Sequence, residues 1–218
     1  MPVDFKLYLI TDRKQVKVPL PQAVRLALEG GVRAIQLREK DMHVRDLLGL
    51  ARELRSLTND FGARLFVNDR VDVAVEVGAD GVHLGHASMP VDAARKVVGS
   101  GMMIGVSTHS PEEAGAAELG GADFVTYGPI YATPSKAGIG KPVGKDSIKS
   151  VKNAIDIPIF ALGGIESGNV LKVMAAGADG ISLISGIMAA DDIKKAAKKF
   201  MDSINFMDRI ACNYCTPR

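Results

Sequence analysis

The sequence has no tryptophan, and four tyrosines with seven phenylalanines bring aromatics to only 5% of 218 residues. That scarcity removes the stacking platforms on which single-stranded nucleic acid is held. The formal net charge is only +2, so no electrostatic footprint points to a nucleic-acid or membrane partner. Neither partner is expected. Cysteine is almost absent: Cys212 and Cys215 stand alone, both close to the C-terminus. Two cysteines exclude a disulfide framework. A C-x-x-C pair with no second pair or nearby histidine is weak ground for metal or redox chemistry. A reducing cytoplasm is the expected compartment. No apolar run approaches the roughly 18 residues of a membrane span. A strand pattern begins at Phe5, so no signal peptide is expected.

What is present is regular. Hydrophobic residues make up 47% and charged residues 24%, ordinary values for a soluble globular chain of one domain. Four segments share one pattern: GVRAIQL (31–37), GADGVHL (78–84), GADFVTY (121–127) and GADGISL (177–183). Each follows an amphipathic helical stretch, at 20–29, 69–77, 111–120 and 167–176. The leading glycine suits the position after a helix, where a left-handed backbone disfavours a Cβ. The residues that follow read as a short buried strand. Between these segments lie four further apolar runs, at 6–11, 63–68, 102–107 and 157–163. Helical patterns at 43–60, 90–98 and 145–154 link the two sets, and 189–204 closes the chain. Eight strands alternating with eight helices, without a nucleotide fingerprint, predict a single (β/α)8 TIM barrel over 1–204 rather than an open doubly wound sheet. Residues 205–218 carry no clear pattern and read as a peripheral tail.

In such barrels the reactive groups stand at the C-terminal strand ends. In the second strand Gln36, Arg38 and Lys40 are spaced by two and share one face, a set suited to a polyanion. A solvated charged loop with internal ion pairs would use the same residues. Asp69, after the third strand, is the metal candidate, since Mg²⁺ prefers carboxylate and phosphate oxygens. The alternative is helix N-terminal chemistry, with Asn68 as cap. After the sixth strand, Thr133, Ser135 and Lys136 precede a glycine-rich stretch, which suits a flap over phosphates or a plain flexible loop. Gly163-Gly164 and Ser185-Gly186 end the last two strands, where backbone N–H groups can hold a phosphate; tight turns would also use glycine. His83, His86 and His109 stand at strand exits. His109 precedes the helix start Ser110-Pro111-Glu112-Glu113. It could exchange protons or simply bond to backbone.

Taken together these ends resemble the thiamine-phosphate synthase and thiazole tautomerase family. The matching pieces are LYLITD (7–12), QLREK (36–40), NDR (68–70), GVHLG (81–85), GVSTH (105–109), GPIY (128–131) with TPSK (133–136), GGI (163–165) and Ile184-Ser185. The resemblance implies a transferase joining a hydroxymethylpyrimidine pyrophosphate to a thiazole phosphate in a dissociative reaction. It implies that Gln36, Arg38, Lys40, Asn68 and Lys136 contact the pyrimidine pyrophosphate, with Ser107 close by. Thr133, Ser135, Gly164, Ile184 and Ser185 would hold the thiazole phosphate. Arg38, Lys40, Ser107, His109 and Lys136 would form the catalytic set. Asp69 would bind Mg²⁺, the one cofactor implied. Ser88 stands where the family pattern carries a second acidic ligand, and a hydroxyl is poorer for a hard dication. Two alternatives stay open. One is the related tautomerase, an isomerase using His109 for proton transfer. The other is a non-catalytic barrel that binds thiamine phosphate. The partners implied are small molecules; a homodimer is left open.

Overall fold

The four repeated heptapeptides do end in strands: β2 (Ala34–Leu37), β4 (Gly81–Leu84), β6 (Phe124–Tyr127) and β8 (Gly180–Leu183), each buried throughout. The intervening runs give β1 (Leu7–Ile10), β3 (Arg64–Asn68), β5 (Met103–Thr108) and β7 (Ile159–Leu162). In the computed structural model these eight strands are parallel and close into a barrel in chain order, with β1 paired to β8. The structure describes residues 2–133 and 142–214, the side chains at 208 and 210–214 excepted. The expected TIM barrel is therefore the observed fold.

Helices alternate with the strands: α1 (Leu20–Glu29), α2 (Val44–Asp60), α3 (Val71–Glu76), α4 (Val91–Val98), α5 (Pro111–Leu119), α6 (Ile148–Lys152) and α7 (Val170–Ala175). The start signal at α5 works as expected: Ser110 Oγ accepts from Glu113 N at 3.2 Å, with Pro111 in the first turn. The closing pattern at 189–204 differs from expectation. Its first four residues are not helical: a short α8 (Ser185–Met188) ends before it, and a long α9 (Ile193–Tyr214) begins inside it. The break has a cause in Asp192, whose carboxylate accepts from Lys195 N at 2.9 Å and caps α9. The helix also runs past residue 204, through much of what the sequence suggests is an unpatterned tail. No helix among the described residues is long and apolar enough to cross a membrane.

The repeat has a physical basis at the N-terminal face. Its glycines, Gly31, Gly78, Gly121 and Gly177, all have positive φ. In three repeats the aspartate that follows reaches back to the preceding strand. Asp80 accepts from Leu65 N at 2.8 Å, Asp123 from Ile104 N at 2.7 Å and Asp179 from Ile159 N at 2.9 Å. Each also pairs with a cation from the helix that leads into that preceding strand: Arg55 of α2, Arg95 of α4 and Lys152 of α6. One side chain thus ties two strands and a helix together. In the first repeat Arg33 replaces the aspartate and donates to the Leu28 and Val32 carbonyls.

Inside the barrel, alternation along each strand stacks the side chains in tiers. The lowest tier is aromatic. Four of the seven phenylalanines, Phe5, Phe66, Phe124 and Phe160, meet there with Tyr8 and Met103. Phe66 and Phe124 pack edge to face at 5.4 Å. Room for these rings comes from glycine on the neighbouring strands: a Cβ at Gly81, Gly105 or Gly180 would lie within 2.5 Å of a phenylalanine ring atom. This floor closes the N-terminal end and leaves the C-terminal mouth open.

Candidate active site

One tier above the floor the inward residues become polar. Gln36, His83, Thr126 and Ser182 occupy the third position of β2, β4, β6 and β8, and all are buried. Buried polar groups need partners, and three of the four have them. Gln36 Nε2 donates to Tyr8 Oη at 3.1 Å. His83 Nδ1 lies 3.4 Å from Tyr8 Oη, and its Nε2 lies 3.0 Å from Ser107 Oγ. Thr126 Oγ1 is 3.4 Å from Ser107 Oγ. Ser182 Oγ has no partner among the described residues. Burial pushes the His83 imidazole from its usual 6.5 down to about 3, and the Arg38 guanidinium adds to the effect. His83 is therefore neutral at physiological pH. Burial also raises the Tyr8 hydroxyl well above its usual value, so it keeps its proton.

Above this tier lies a cavity of about 490 Å³, lined by Gln36, Arg38, Lys40, Asn68, Asp69, His83, Ser88, Ser107, His109 and Ile184 among others. All ten of these residues are singled out in the sequence, and they meet in one place. Thr133, Gly164 and Ser185 do not line it. Gly164 instead packs under the β6 exit, where an added Cβ would lie 2.6 Å from Tyr131 Cβ. Gly163 and Gly164 both have positive φ. Ser185 opens α8 beside Ile184. Ser135 and Lys136 lie outside the described residues, so the flap reading of their loop does too.

The charged loop after β2 resolves by parity. Arg38 and Lys40 line the cavity, while the Glu39 carboxylate is held at the exit of β1. Glu39 accepts from Thr11 Oγ1 at 2.8 Å and pairs with Arg13 at 3.0 Å. Asp41 takes Arg13 and Lys14, both at 2.7 Å. The loop's acids are thereby spent on the β1 exit. Among the described residues no carboxylate pairs with Arg38 or Lys40, so the internal ion pairs of a solvated loop do not form.

Asp69 is the only described non-glycine residue with positive φ, at 65°. Its backbone is fixed there by Asp69 N donating to the His83 carbonyl at 2.8 Å. The cap position of α3 is Arg70, with no side-chain capping bond, and the acid in the first turn is Asp72. Asp69 and Asn68 therefore do not cap that helix. A non-glycine residue held at positive φ costs of order 1–3 kcal/mol, and here the cost turns a carboxylate toward the cavity. Ser88 Oγ accepts from Gly85 N at 2.8 Å and closes the turn after β4. His109 donates through Nδ1 to the Gly128 carbonyl, leaving Nε2 as its other nitrogen. It is thus both bonded to backbone and at the cavity wall.

The model for thiamine monophosphate synthase matches residues 7–187, which spans all eight strands and this cavity. The chain belongs to that family. A relative from Geobacter sulfurreducens is 54% identical over 200 residues, covering 91% of this chain and 94% of its own. The thiamine-phosphate synthase of Clostridium acetobutylicum is 43% identical over 203 residues, covering 93% and 96%. Among solved structures, the thiamine phosphate pyrophosphorylase from Pyrococcus furiosus superposes with a TM-score of 0.86 at 39% identity, covering 93% of this chain and 96% of that one. Family membership accounts for the strand-end motifs. Of the buried polar tier beneath them, sequence reasoning picks out Gln36 as an inward residue and His83 as a strand-exit residue, but not the tier itself. Its signal is a polar residue at the same place in all four repeated strands.

Proposed function

We propose that this chain is a thiamine-phosphate synthase, a transferase of thiamine biosynthesis. It joins a hydroxymethylpyrimidine pyrophosphate to a thiazole phosphate and releases pyrophosphate. The family match and the relatives named for this activity support the assignment. Within the site, the observation that carries it is a pair of inward cations, Arg38 and Lys40, with no carboxylate partner among the described residues. Such a pair suits an anionic leaving group.

The reaction breaks the bond between the pyrimidine methylene and the pyrophosphate oxygen, and the electron pair leaves with the oxygen. The thiazole nitrogen lone pair then forms the new C–N bond to the methylene cation. Arg38 and Lys40, with Lys136 beyond the described residues, offset the charge that develops on the leaving group. Gln36 and Asn68 position the pyrimidine, and Ser107 faces the pyrophosphate. Thr133, Ser135, Gly164, Ile184 and Ser185 hold the thiazole phosphate and orient the nucleophile. No proton transfer is required, so the isomerase alternative built on His109 is not needed. The two substrates are soluble and the cysteines few, which favours a cytoplasmic setting.

The residues present fit Mg²⁺ as a partner of the bound pyrophosphate. Asp69 offers a carboxylate that makes no hydrogen bond or ion pair among the described residues. Ser88 offers a hydroxyl that already accepts from Gly85 N. Among the described residues no cluster of three or more His, Cys, Asp or Glu could form an all-protein cage. One carboxylate with phosphate and water oxygens is a usual way to hold this ion. When bound, it would supply further positive charge to the leaving group.

The test is the two-substrate assay on the purified chain, with and without Mg²⁺. Thiamine phosphate and pyrophosphate should form, and Arg38→Ala should lower turnover by about a hundredfold. No product above background with Mg²⁺ present would overturn the assignment.

A further inference from the structure

The buried polar tier forms a connected path. It runs from Gln36 Nε2 to Tyr8 Oη at 3.1 Å, from Tyr8 Oη to His83 Nδ1 at 3.4 Å, and from His83 Nε2 to Ser107 Oγ at 3.0 Å. Gln36, Tyr8 and His83 are each 2% exposed or less, so bulk water does not complete their bonding. The path begins and ends at groups on the cavity wall, yet Tyr8 lies below that wall.

Counting hydrogens gives the path a direction. Tyr8 Oη accepts from Gln36, so its single hydrogen is left for His83 Nδ1. That nitrogen then carries none. A neutral imidazole has one N–H, which must sit on Nε2 and be donated to Ser107 Oγ. Thr126 Oγ1 approaches the same oxygen at 3.4 Å. With its oxygen accepting from inside the barrel, Ser107 has its own hydrogen left to give, and its open side is the cavity.

We propose that Tyr8 and His83 are positioning residues whose one-way hydrogen-bond chain holds Ser107 as a donor toward a phosphate oxygen in the cavity. Tyr8 and His83 act on the phosphate only through Ser107. Its effect is to remove a choice: a serine hydroxyl can accept or donate, whereas phosphate oxygens only accept. A hydroxyl fixed as a donor needs no reorientation as charge develops on the leaving group. The phosphate is the substrate's pyrophosphate on the functional reading above, and to that extent the inference rests on it.

The first arm needs no catalysis. Nitrogen-15 NMR of the His83 ring in the full-length protein at pH 7 should show a protonated Nε2 and a bare Nδ1. A protonated Nδ1, alone or with Nε2, would overturn the proposal. In Tyr8→Phe, which keeps the ring that fills the floor, the preference for that tautomer should weaken to a mixture. An unchanged tautomer there would count against the chain.

The second arm is kinetic. His83→Leu should lower kcat about ten- to a hundredfold with KM changed less than threefold. His83→Gln keeps an amide N–H near the place of Nε2 and should recover most of the loss. Ser107→Ala should cost little more in the His83→Leu background, because a hydroxyl without its orienting donor is already ineffective. Equal losses in His83→Gln and His83→Leu, or fully additive losses with Ser107→Ala, would refute the positioning role. A wild-type chain without synthase activity would sink the functional reading, and the NMR arm would still decide the tautomer.

Discussion

Lowering the pH from 7 to 4.5 should cost the wild-type chain about 2.5 kcal/mol more stability than it costs His83→Gln. The imidazole is held neutral inside the barrel, with its pKa lowered from 6.5 to about 3 by burial first and by Arg38 second. In the unfolded chain the same ring protonates near 6.5. Between those values the unfolded state binds the extra proton, so stability rises with pH across the window and falls as acid is added. Each pH unit inside the window is worth about 1.4 kcal/mol, and the step from 7 to 4.5 includes about two such units. Glutamine does not titrate, so it removes this contribution and leaves the rest. The carboxylates held low by Arg64, Arg70 and Lys17, on Asp4, Asp72 and Asp191, titrate in both chains and cancel in the difference. Urea unfolding at several pH values measures the quantity directly, provided the slopes with denaturant agree. The variant will be less stable at pH 7, and the gap should narrow by the stated amount at pH 4.5. A gap that stays constant with pH would show that His83 is not a buried neutral imidazole, and the hydrogen count built on it would fall.

Three further outcomes follow from particular residues. Asp69→Gly should raise stability by up to about 1 kcal/mol, or roughly 2–4 °C in Tm, because only glycine takes a φ of 65° without strain. The same change should cut turnover at least tenfold by removing the carboxylate, and a fall in Tm would refute the strain. Gly164→Ala places a Cβ 2.6 Å from Tyr131 Cβ and 2.8 Å from the Ala132 carbonyl at positive φ. It should cost about 2–3 kcal/mol and raise KM for the thiazole phosphate well above any change in KM for the pyrimidine substrate. Asp123→Ala strands Ile104 N on the N-terminal face and takes the carboxylate from Arg95, which keeps its carbonyl partners. It should cost about 2–3 kcal/mol by denaturant unfolding while both KM values stay within twofold.

The fold was legible because its punctuation repeats. Glycine after a helix and a buried β-branched run are local signals, and eight of them in order leave few architectures. The function of the aspartate in Gly-Ala-Asp was not legible. Its partners, such as Ile104 N and Arg95 for Asp123, lie on another strand and another helix, and no local pattern announces a contact across 19 or 28 residues. The late start of the closing helix, after Asp192 rather than at 189, is not legible for a related reason. A cap is recognised from where the helix starts, and Ala189-Ala190 read equally well as helix. At the strand exits parity did most of the work. Gln36, Arg38 and Lys40 share a face by spacing alone, whereas the fate of Glu39 depended on Thr11 and Arg13 at the exit of another strand.

The same parity links the fold to the site. On β3 and β6 the inward series starts on the floor with Phe66 or Phe124, and the next inward position carries a polar group, Asn68 or Thr126. In β2 that series is Ala34, Gln36, Arg38 and Lys40; in β5 it is Met103, Gly105, Ser107 and His109. Because the side-chain period is two, a one-residue slip in any strand would turn its whole series outward. Such a slip would drive a ring from the floor and remove a cavity residue together. The aromatic floor therefore does more than exclude water from the barrel. It fixes the register, and the register decides that Gln36, His83 and Ser107 meet inside while their neighbours Leu37, Leu84 and Thr108 face the helices. Packing at one end of the strands sets the chemistry at the other, which is why a chain so poor in aromatics places four of its seven phenylalanines where no substrate reaches.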